Sequence, residues 1–139
     1  MSERIVVCDD EPHIVQTVRM KLAKSGYDVE TAENGGEALE AVRREMPALL
    51  ITDLQMPVMD GLALCRELRS DPAAARLPII LLTAKGYEID SDNLSQELRL
   101  SEVVIKPFSP RELLELAEHA IAMGPPNYLN PALDAGCQC

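Results

Sequence analysis

The sequence predicts a single α/β domain with a parallel sheet that is covered by helices on both faces. Short apolar runs of the kind found in strands alternate five times with helical patterns, and such alternation is typical of parallel sheets. The chain has 139 residues, of which 47% are hydrophobic. This length suits one domain, and this composition supplies a substantial core.

Five segments are predicted to be strands. Continuous apolar runs indicate strands that are buried on both faces, whereas the alternating second segment is typical of a strand nearer the sheet edge. In chain order the segments are 5–7, 27–31, 48–52, 78–83 and 103–105.

Capping residues and apolar stripes predict the first three helices. Pro12 suits a first helical turn, and Gly26 suits a helix C-terminus. Asn34 with Glu37 has the form of a capping box, and the Asp60–Gly61 pair opens a further helix. The predicted apolar stripes of these helices are Ile14, Val18 and Leu22, then Ala38, Leu39 and Val42, then Leu62, Cys65 and Leu68.

Two more helices and a tail complete the predicted organisation. A fourth helix at 91–99 rests on Leu94 and Leu98 alone. The last helix has a full start signal at 109–112, where a serine cap, a proline and a capping-box glutamate follow one another. Its apolar stripe is Leu113, Ala117, Ala120 and Ile121. We expect one domain over residues 1–123 and a flexible tail over 124–139.

Composition excludes several classes of function. The net charge of −10 argues against direct nucleic-acid binding, which depends on Lys and Arg contacts to phosphate. No apolar run approaches the roughly 20 residues that span a bilayer, and the N-terminus lacks a signal-peptide pattern. We therefore expect a cytoplasmic protein without a membrane partner.

The four cysteines do not have the spacing of a zinc site or of a disulfide framework. Cys8 lies in an apolar strand and Cys65 in a helical stripe, so both are predicted to be buried packing residues. Cys137 and Cys139 fall in the predicted tail.

Polar groups suited to chemistry follow four of the five predicted strands. Asp9 and Asp10 follow the first strand, Asp53 the third, Thr83 the fourth and Lys106 the fifth. The carboxyl ends of parallel strands open at one edge of the sheet, which is where such sheets bind ligands. We therefore expect these five side chains to lie close together.

This set of groups suits phosphoryl transfer to a carboxylate. Asp53 can act as a nucleophile and form an aspartyl phosphate. Three clustered carboxylates repel one another unless a cation lies among them, and Mg²⁺ prefers oxygen ligands of this kind. Lys106 supplies a second positive charge for the phosphoryl oxygens, and Thr83 supplies a hydroxyl donor.

Each residue also has a structural interpretation. Asp53 could begin a turn, Asp10 could cap the first helix, Thr83 could be an ordinary strand residue and Lys106 could be solvated. The arrival of all of them at one sheet edge favours the functional interpretation.

Four motifs resemble the receiver domain of two-component response regulators, including the chemotaxis-regulator type. They are Val7–Pro12, Asp53–Pro57 together with Asp60–Gly61, Leu82–Ala84, and Lys106–Phe108. They occur in the order and at the spacing of that family, and the similarity covers about residues 3–123. It implies a flavodoxin-like doubly wound sheet of five parallel strands in the order 2-1-3-4-5, with five helices.

The resemblance also implies roles for individual residues. Asp53 would accept a phosphoryl group from a sensor histidine kinase or a phosphotransfer protein, and Thr83 and Lys106 would contact that group. Asp9, Asp10, Asp53 and the backbone carbonyl of Gln55 would hold Mg²⁺. The peptide bond before Pro107 is often cis in the family. A downstream protein would bind the face formed by the fourth helix, fifth strand and fifth helix. The oligomeric state stays open, with a homodimer as one alternative.

The chain departs from the family pattern next to this output face. Val103 stands where the family usually has Tyr or Phe, and Arg99-Leu100 replaces a common Gly-Ala pair. A valine cannot reproduce the inward swing of an aromatic ring. We therefore expect the phosphorylation chemistry to be intact and the signal to leave through the fourth helix and its loop or through the partner-binding surface.

Other functions compete with a phosphorylation switch. A phosphorylation-independent adaptor would use the same fold, and Val103 is compatible with it. A phosphohydrolase would need an acid–base Asp at position 55, which holds Gln55, so we do not expect an enzyme. A flavin carrier would need aromatic residues that are missing here. His13 and His119 are predicted to be solvated and to have no part in phosphorelay.

Overall fold

The computed structural model describes residues 3–84 and 96–124, and it confirms the predicted α/β class. The strands are β1 (Arg4–Cys8), β2 (Asp28–Ala32), β3 (Leu49–Asp53), β4 (Ile79–Ala84) and β5 (Glu102–Lys106). The helices are α1 (Pro12–Lys24), α2 (Gly35–Arg44), α3 (Gly61–Ser70) and the C-terminal helix (Pro110–Met123).

All five strands are parallel and lie in the order β2-β1-β3-β4-β5, as the resemblance implied. β3 is the central strand, and all five of its residues are buried. β2 and β5 are the two edge strands, which explains why the sequence of β2 alternates. This order places the carboxyl ends of β1, β3 and β4 next to one another.

Helices cover both faces of the sheet and create two apolar clusters. α1 and the C-terminal helix pack on one face through the buried residues Val18, Leu22, Leu113, Ala117 and Ala120. α2 and α3 pack on the other face through Ala38, Ala41, Val42, Leu64, Cys65 and Leu68. Cys8 and Cys65 are buried, as predicted.

The predicted helix caps are present. The side chains of Asn34, Asp60 and Ser109 accept hydrogen bonds from backbone amides one turn into α2, α3 and the C-terminal helix. One detail differs from the capping-box prediction. The Glu37 carboxylate accepts from the Glu33 amide at 2.9 Å, one residue upstream of Asn34.

Two predictions fall wholly or mostly outside the described residues. Of the predicted fourth helix, the structure describes residues 96–99, and 96–98 are helical. Beyond Gly124, the predicted tail lies outside the described part of the chain. None of the described helices is long and apolar enough to cross a membrane.

Val58 has an unfavourable backbone conformation in the loop after β3. Its φ is +70°, in the left-handed region that disfavours β-branched residues, and its side chain is 87% exposed. We expect Val58→Gly to raise the free energy of unfolding by about 1 kcal/mol, because glycine adopts this conformation without strain and little burial is lost. Urea unfolding measures this free energy. Val58→Ala keeps a Cβ, so its free energy of unfolding should rise less. A lower free energy of unfolding in Val58→Gly would show that the backbone at this position is not strained.

Candidate functional site

Three carboxylates meet at the carboxyl edge of the sheet. Asp9 follows β1 and Asp53 ends β3, and both are buried, whereas Asp10 is exposed. One carboxylate oxygen from each lies within 4.8 Å of the other two. The neighbouring positions of β1 and β3 in the sheet bring these residues together although 43 positions separate Asp10 from Asp53.

Lys106 reaches this cluster from the edge strand β5. Its Nζ atom lies 2.9 Å from Asp9 Oδ2, 3.2 Å from Asp53 Oδ1 and 3.1 Å from Glu11 Oε1. β5 is two strands from β3, so the side chains of Lys106 and Asp53 together bridge a backbone separation of roughly 10 Å at the usual strand spacing. Only 13% of the Lys106 side chain is exposed. The lysine is therefore an ion-paired group and not a solvated one.

Thr83 lies at the end of β4, between the strands that carry Asp53 and Lys106. Its Oγ1 is buried and has no hydrogen-bond partner among the described residues. A buried hydroxyl without a partner is unfavourable. A hydroxyl at this position suits donation to a ligand oxygen.

The loop after β3 contains Gln55, and α3 begins directly against it. The Gln55 side chain is exposed. Gly61 donates its N–H to the Leu54 carbonyl at 2.8 Å, and a Cβ on Gly61 would lie 2.3 Å from the Asp53 carbonyl oxygen. Only glycine therefore fits at the start of α3, and its close approach fixes the backbone of the Asp53 loop.

Asp9, Asp53 and Lys106 shift one another's pKa values. Burial raises the pKa of Asp53 to about 6, with a further contribution from Asp9, while Lys106 opposes the shift. Burial also raises the pKa of Asp9, against the hydrogen bond from Lys106. For Lys106, burial lowers the pKa, but the charges and hydrogen bonds of Asp9 and its neighbours outweigh it and raise the pKa overall.

This donor set fits a hard divalent cation. Carboxylate oxygens are the ligands that Mg²⁺ prefers, and it usually takes one or two carboxylates and keeps several waters. The raised pKa values of Asp9 and Asp53 show that Lys106 alone does not compensate their burial. Asp10 is exposed, so the cluster is open to solvent on the side of this residue.

A family model described as the response regulator receiver domain matches residues 5–118. The chain belongs to this family. The receiver domain is 42% identical over 113 residues to the alkaline phosphatase synthesis transcriptional regulatory protein PhoP of Bacillus subtilis. That match covers 81% of this chain and 46% of PhoP, so the receiver domain spans about half the length of this relative.

Solved structures show the same fold. A putative response regulator from Chloroflexus aurantiacus superimposes with a TM-score of 0.80 and 31% identity, over 88% of this chain and 99% of that one. The chemotaxis response regulator CheY4 of Vibrio cholerae superimposes with a TM-score of 0.78 and 28% identity, over 86% and 99% of the two chains. The flavodoxin-like fold is thereby confirmed.

Sequence reasoning missed two residues of the receiver's site. Glu11 and Gly61 both lie in the motifs that resemble the family, but the sequence predicts no role for Glu11 and only a helix start for Gly61. The signal for Gly61 was a glycine at a position where a helix does not need one. For Glu11 the sequence carried no signal, because its partner Lys106 is 95 positions away. His13 and His119 are exposed, as predicted.

The raised pKa of Asp53 predicts a stability gain in Asp53→Asn. The folded-state pKa of Asp53, about 6, exceeds the ordinary value of 3.8, so ionisation of Asp53 destabilises the folded state. The stability of the parent is therefore intact below about pH 4 and falls as the pH rises through 6. We expect the metal-free variant to be more stable than the parent at neutral pH by on the order of 1–2 kcal/mol, and the gain to vanish near pH 4.

Urea unfolding of both proteins in chelator, at neutral pH and near pH 4, measures this gain. Asp28→Asn, at an exposed position of β2, is the control and should have little effect. An Asp53→Asn variant that is less stable than the parent at neutral pH would contradict the prediction.

Proposed function

We propose that this receiver domain is a phosphorylation-controlled signalling switch that accepts a phosphoryl group on Asp53. The observation that carries the proposal is the buried Asp53 carboxylate, which lies 3.2 Å from Lys106 and beside two further carboxylates at the open edge of the sheet. This arrangement supports the proposal because it brings the proposed nucleophile, a lysine cation and carboxylates that suit a metal to one point.

In the proposed reaction an Asp53 carboxylate oxygen forms a bond to phosphorus while the bond from phosphorus to the donor's leaving group breaks. The leaving group departs with the electron pair. Lys106 neutralises charge on the phosphoryl oxygens, and the Thr83 hydroxyl, which has no partner among the described residues, donates to one of them. Mg²⁺, held by Asp9, Asp10, Asp53 and the carbonyl of Gln55, would offset the negative charge of donor and acceptor.

The proposed phosphodonor is a sensor histidine kinase or a phosphotransfer protein in the cytoplasm. A groove of about 550 Å³ opens beside Lys106, between α1 and the loop that precedes the C-terminal helix. Its walls include the apolar side chains Ile14, Val18 and Phe108. Such a surface suits a helix of the donor protein next to the site of transfer.

The proposed route of the signal to a downstream protein does not use the rotation of an aromatic ring at position 103. Val103 is partly buried and packs against the apolar cluster below α2 and α3. Because this residue is a valine, its side chain has no aromatic ring to turn. We propose that the signal leaves through the segment that follows β4. A structure with a bound phosphoryl mimic should show displacement within residues 84–104, and an unmoved segment would contradict this route.

We do not propose hydrolase activity. A hydrolase that uses an aspartyl intermediate needs an acid–base group close to the nucleophile. Gln55, two residues after Asp53, has an amide that cannot transfer a proton in this way.

Intact mass after incubation with Mg²⁺ and acetyl phosphate tests the function. We expect a gain of about 80 Da for one phosphoryl group. The gain should disappear in Asp53→Asn and in chelator, and should persist in Asp28→Asn. The chain has no Trp for a fluorescence readout. No gain, also with protein phosphodonors, would favour the phosphorylation-independent adaptor.

A further inference from the structure

Among the residues that the structure describes, Lys106 has one carboxylate partner outside the candidate metal cluster. Glu11 Oε1 lies 3.1 Å from Lys106 Nζ, whereas the cluster consists of Asp9, Asp10 and Asp53. Glu11 occupies the N-cap position of α1, yet its side chain makes no capping hydrogen bond. The carboxylate instead reaches across to β5, at the other edge of the site.

A bound cation would affect the charge of Asp9 and Asp53 differently from the charge of Glu11. The side chains of Asp9 and Asp53 are almost fully buried, and a bound divalent cation would neutralise much of their charge. The side chain of Glu11 is 46% exposed and stays outside the cluster. When the cation is bound, Glu11 is therefore the partner that retains its full attraction for Lys106.

We propose that Glu11 is a positioning residue that holds Lys106 at the mouth of the site and competes with the incoming phosphoryl group for its ammonium. The inference rests on the proposed phosphorylation of Asp53 and adds a control on its rate. Small anionic donors meet this competition directly, because they must draw Lys106 away from Glu11 before the lysine can neutralise their oxygens.

Phosphorylation kinetics with acetyl phosphate at saturating Mg²⁺ test the proposal. We expect Glu11→Gln to raise the rate constant by about two- to fivefold, the range for an ion pair with one half-exposed partner. Glu40→Gln, at an exposed position of α2, changes the net charge equally and should leave the rate unchanged. A rate in Glu11→Gln that equals that of Glu40→Gln would overturn the proposal.

Glu11→Asp separates competition from simple repulsion of the donor. The shorter side chain keeps the charge but cannot hold Lys106 at the same distance. Competition therefore predicts that Glu11→Asp is faster than the parent, between it and Glu11→Gln. Repulsion alone predicts a rate equal to the parent's, and that result would overturn the proposal.

A double-mutant cycle tests the contact without phosphorylation. Unfolding of the metal-free parent, Glu11→Gln, Lys106→Met and the double variant in urea gives the coupling between the two side chains. We expect Glu11→Gln to lower the free energy of unfolding when Lys106 is present, and to have little effect on it in the Lys106→Met background. Additive effects would overturn the proposal, whereas a parent that no donor phosphorylates would overturn only the proposed function.

Discussion

Gly61→Ala should destabilise the protein by about 3 kcal/mol and slow phosphorylation of Asp53, because the added Cβ has no space. It would lie 2.3 Å from the Asp53 carbonyl oxygen and 3.0 Å from Leu54 Cα. Both are backbone atoms, which cannot rotate away as a flexible side chain can. Relief requires α3 and the Asp53 loop to separate, which also strains the 2.8 Å hydrogen bond from Gly61 to Leu54.

Urea unfolding and the intact-mass assay measure the two consequences of Gly61→Ala. Gly36→Ala is the matched control, since Gly36 also lies in the first turn of a helix. Its added Cβ would meet only side-chain atoms, the nearest being Asn34 Oδ1 at 3.2 Å, so a change within about 1 kcal/mol is expected. If Gly61→Ala were as stable as Gly36→Ala, the close approach would not constrain the loop.

Arg69→Met should lower the free energy of unfolding by about 2–4 kcal/mol, because it leaves several carbonyl groups without a donor. The Arg69 guanidinium on α3 donates to the carbonyls of Leu98 at 2.6 Å and Arg99 at 3.1 Å. It also donates to Ala74 at 3.1 Å and Ala75 at 3.3 Å. Burial lowers its pKa to about 10, so it stays charged at neutral pH.

Arg66→Met is the control for Arg69→Met in a urea titration. Arg66 lies on the same helix, is exposed, and makes one ion pair within the described part of the chain, with Glu97 at 3.3 Å. Its removal should cost less than about 1 kcal/mol. Equal effects of the two substitutions would show that the four carbonyl contacts of Arg69 contribute little.

The contacts of Arg69 fix the segment that leads into β5, which is where the sequence departs from the family pattern. Arg99 holds the left-handed backbone conformation, with φ +53°, that suits the glycine it replaces. Leu100 is fully buried in the cluster that also contains Leu64 and Leu81. The chain therefore keeps the backbone path into β5 at both positions. Arg99 adopts the conformation of the usual glycine, and the larger Leu100 side chain is buried in the apolar cluster.

The pattern of residues along the chain was enough to predict the elements and the edge at which the site lies. Strands and helices depend on neighbours a few positions apart, so apolar periodicity and caps such as Asn34 and Ser109 predicted them correctly. The alternation of strand and helix implied a parallel sheet, and a parallel sheet places Asp9, Asp53 and Lys106 at one edge.

Only the tertiary structure decided how these side chains meet. The reach of Lys106 to Asp9 and Glu11 joins residues 97 and 95 positions apart, and it depends on the strand order and on the packing of α1. The raised pKa of Asp53 depends on burial by elements distant in sequence. Gly61 is needed because the start of α3 packs closely on the end of β3, where an added Cβ would lie 2.3 Å from the Asp53 carbonyl oxygen. Local patterns contain none of these distances, because they are set by how the whole domain packs.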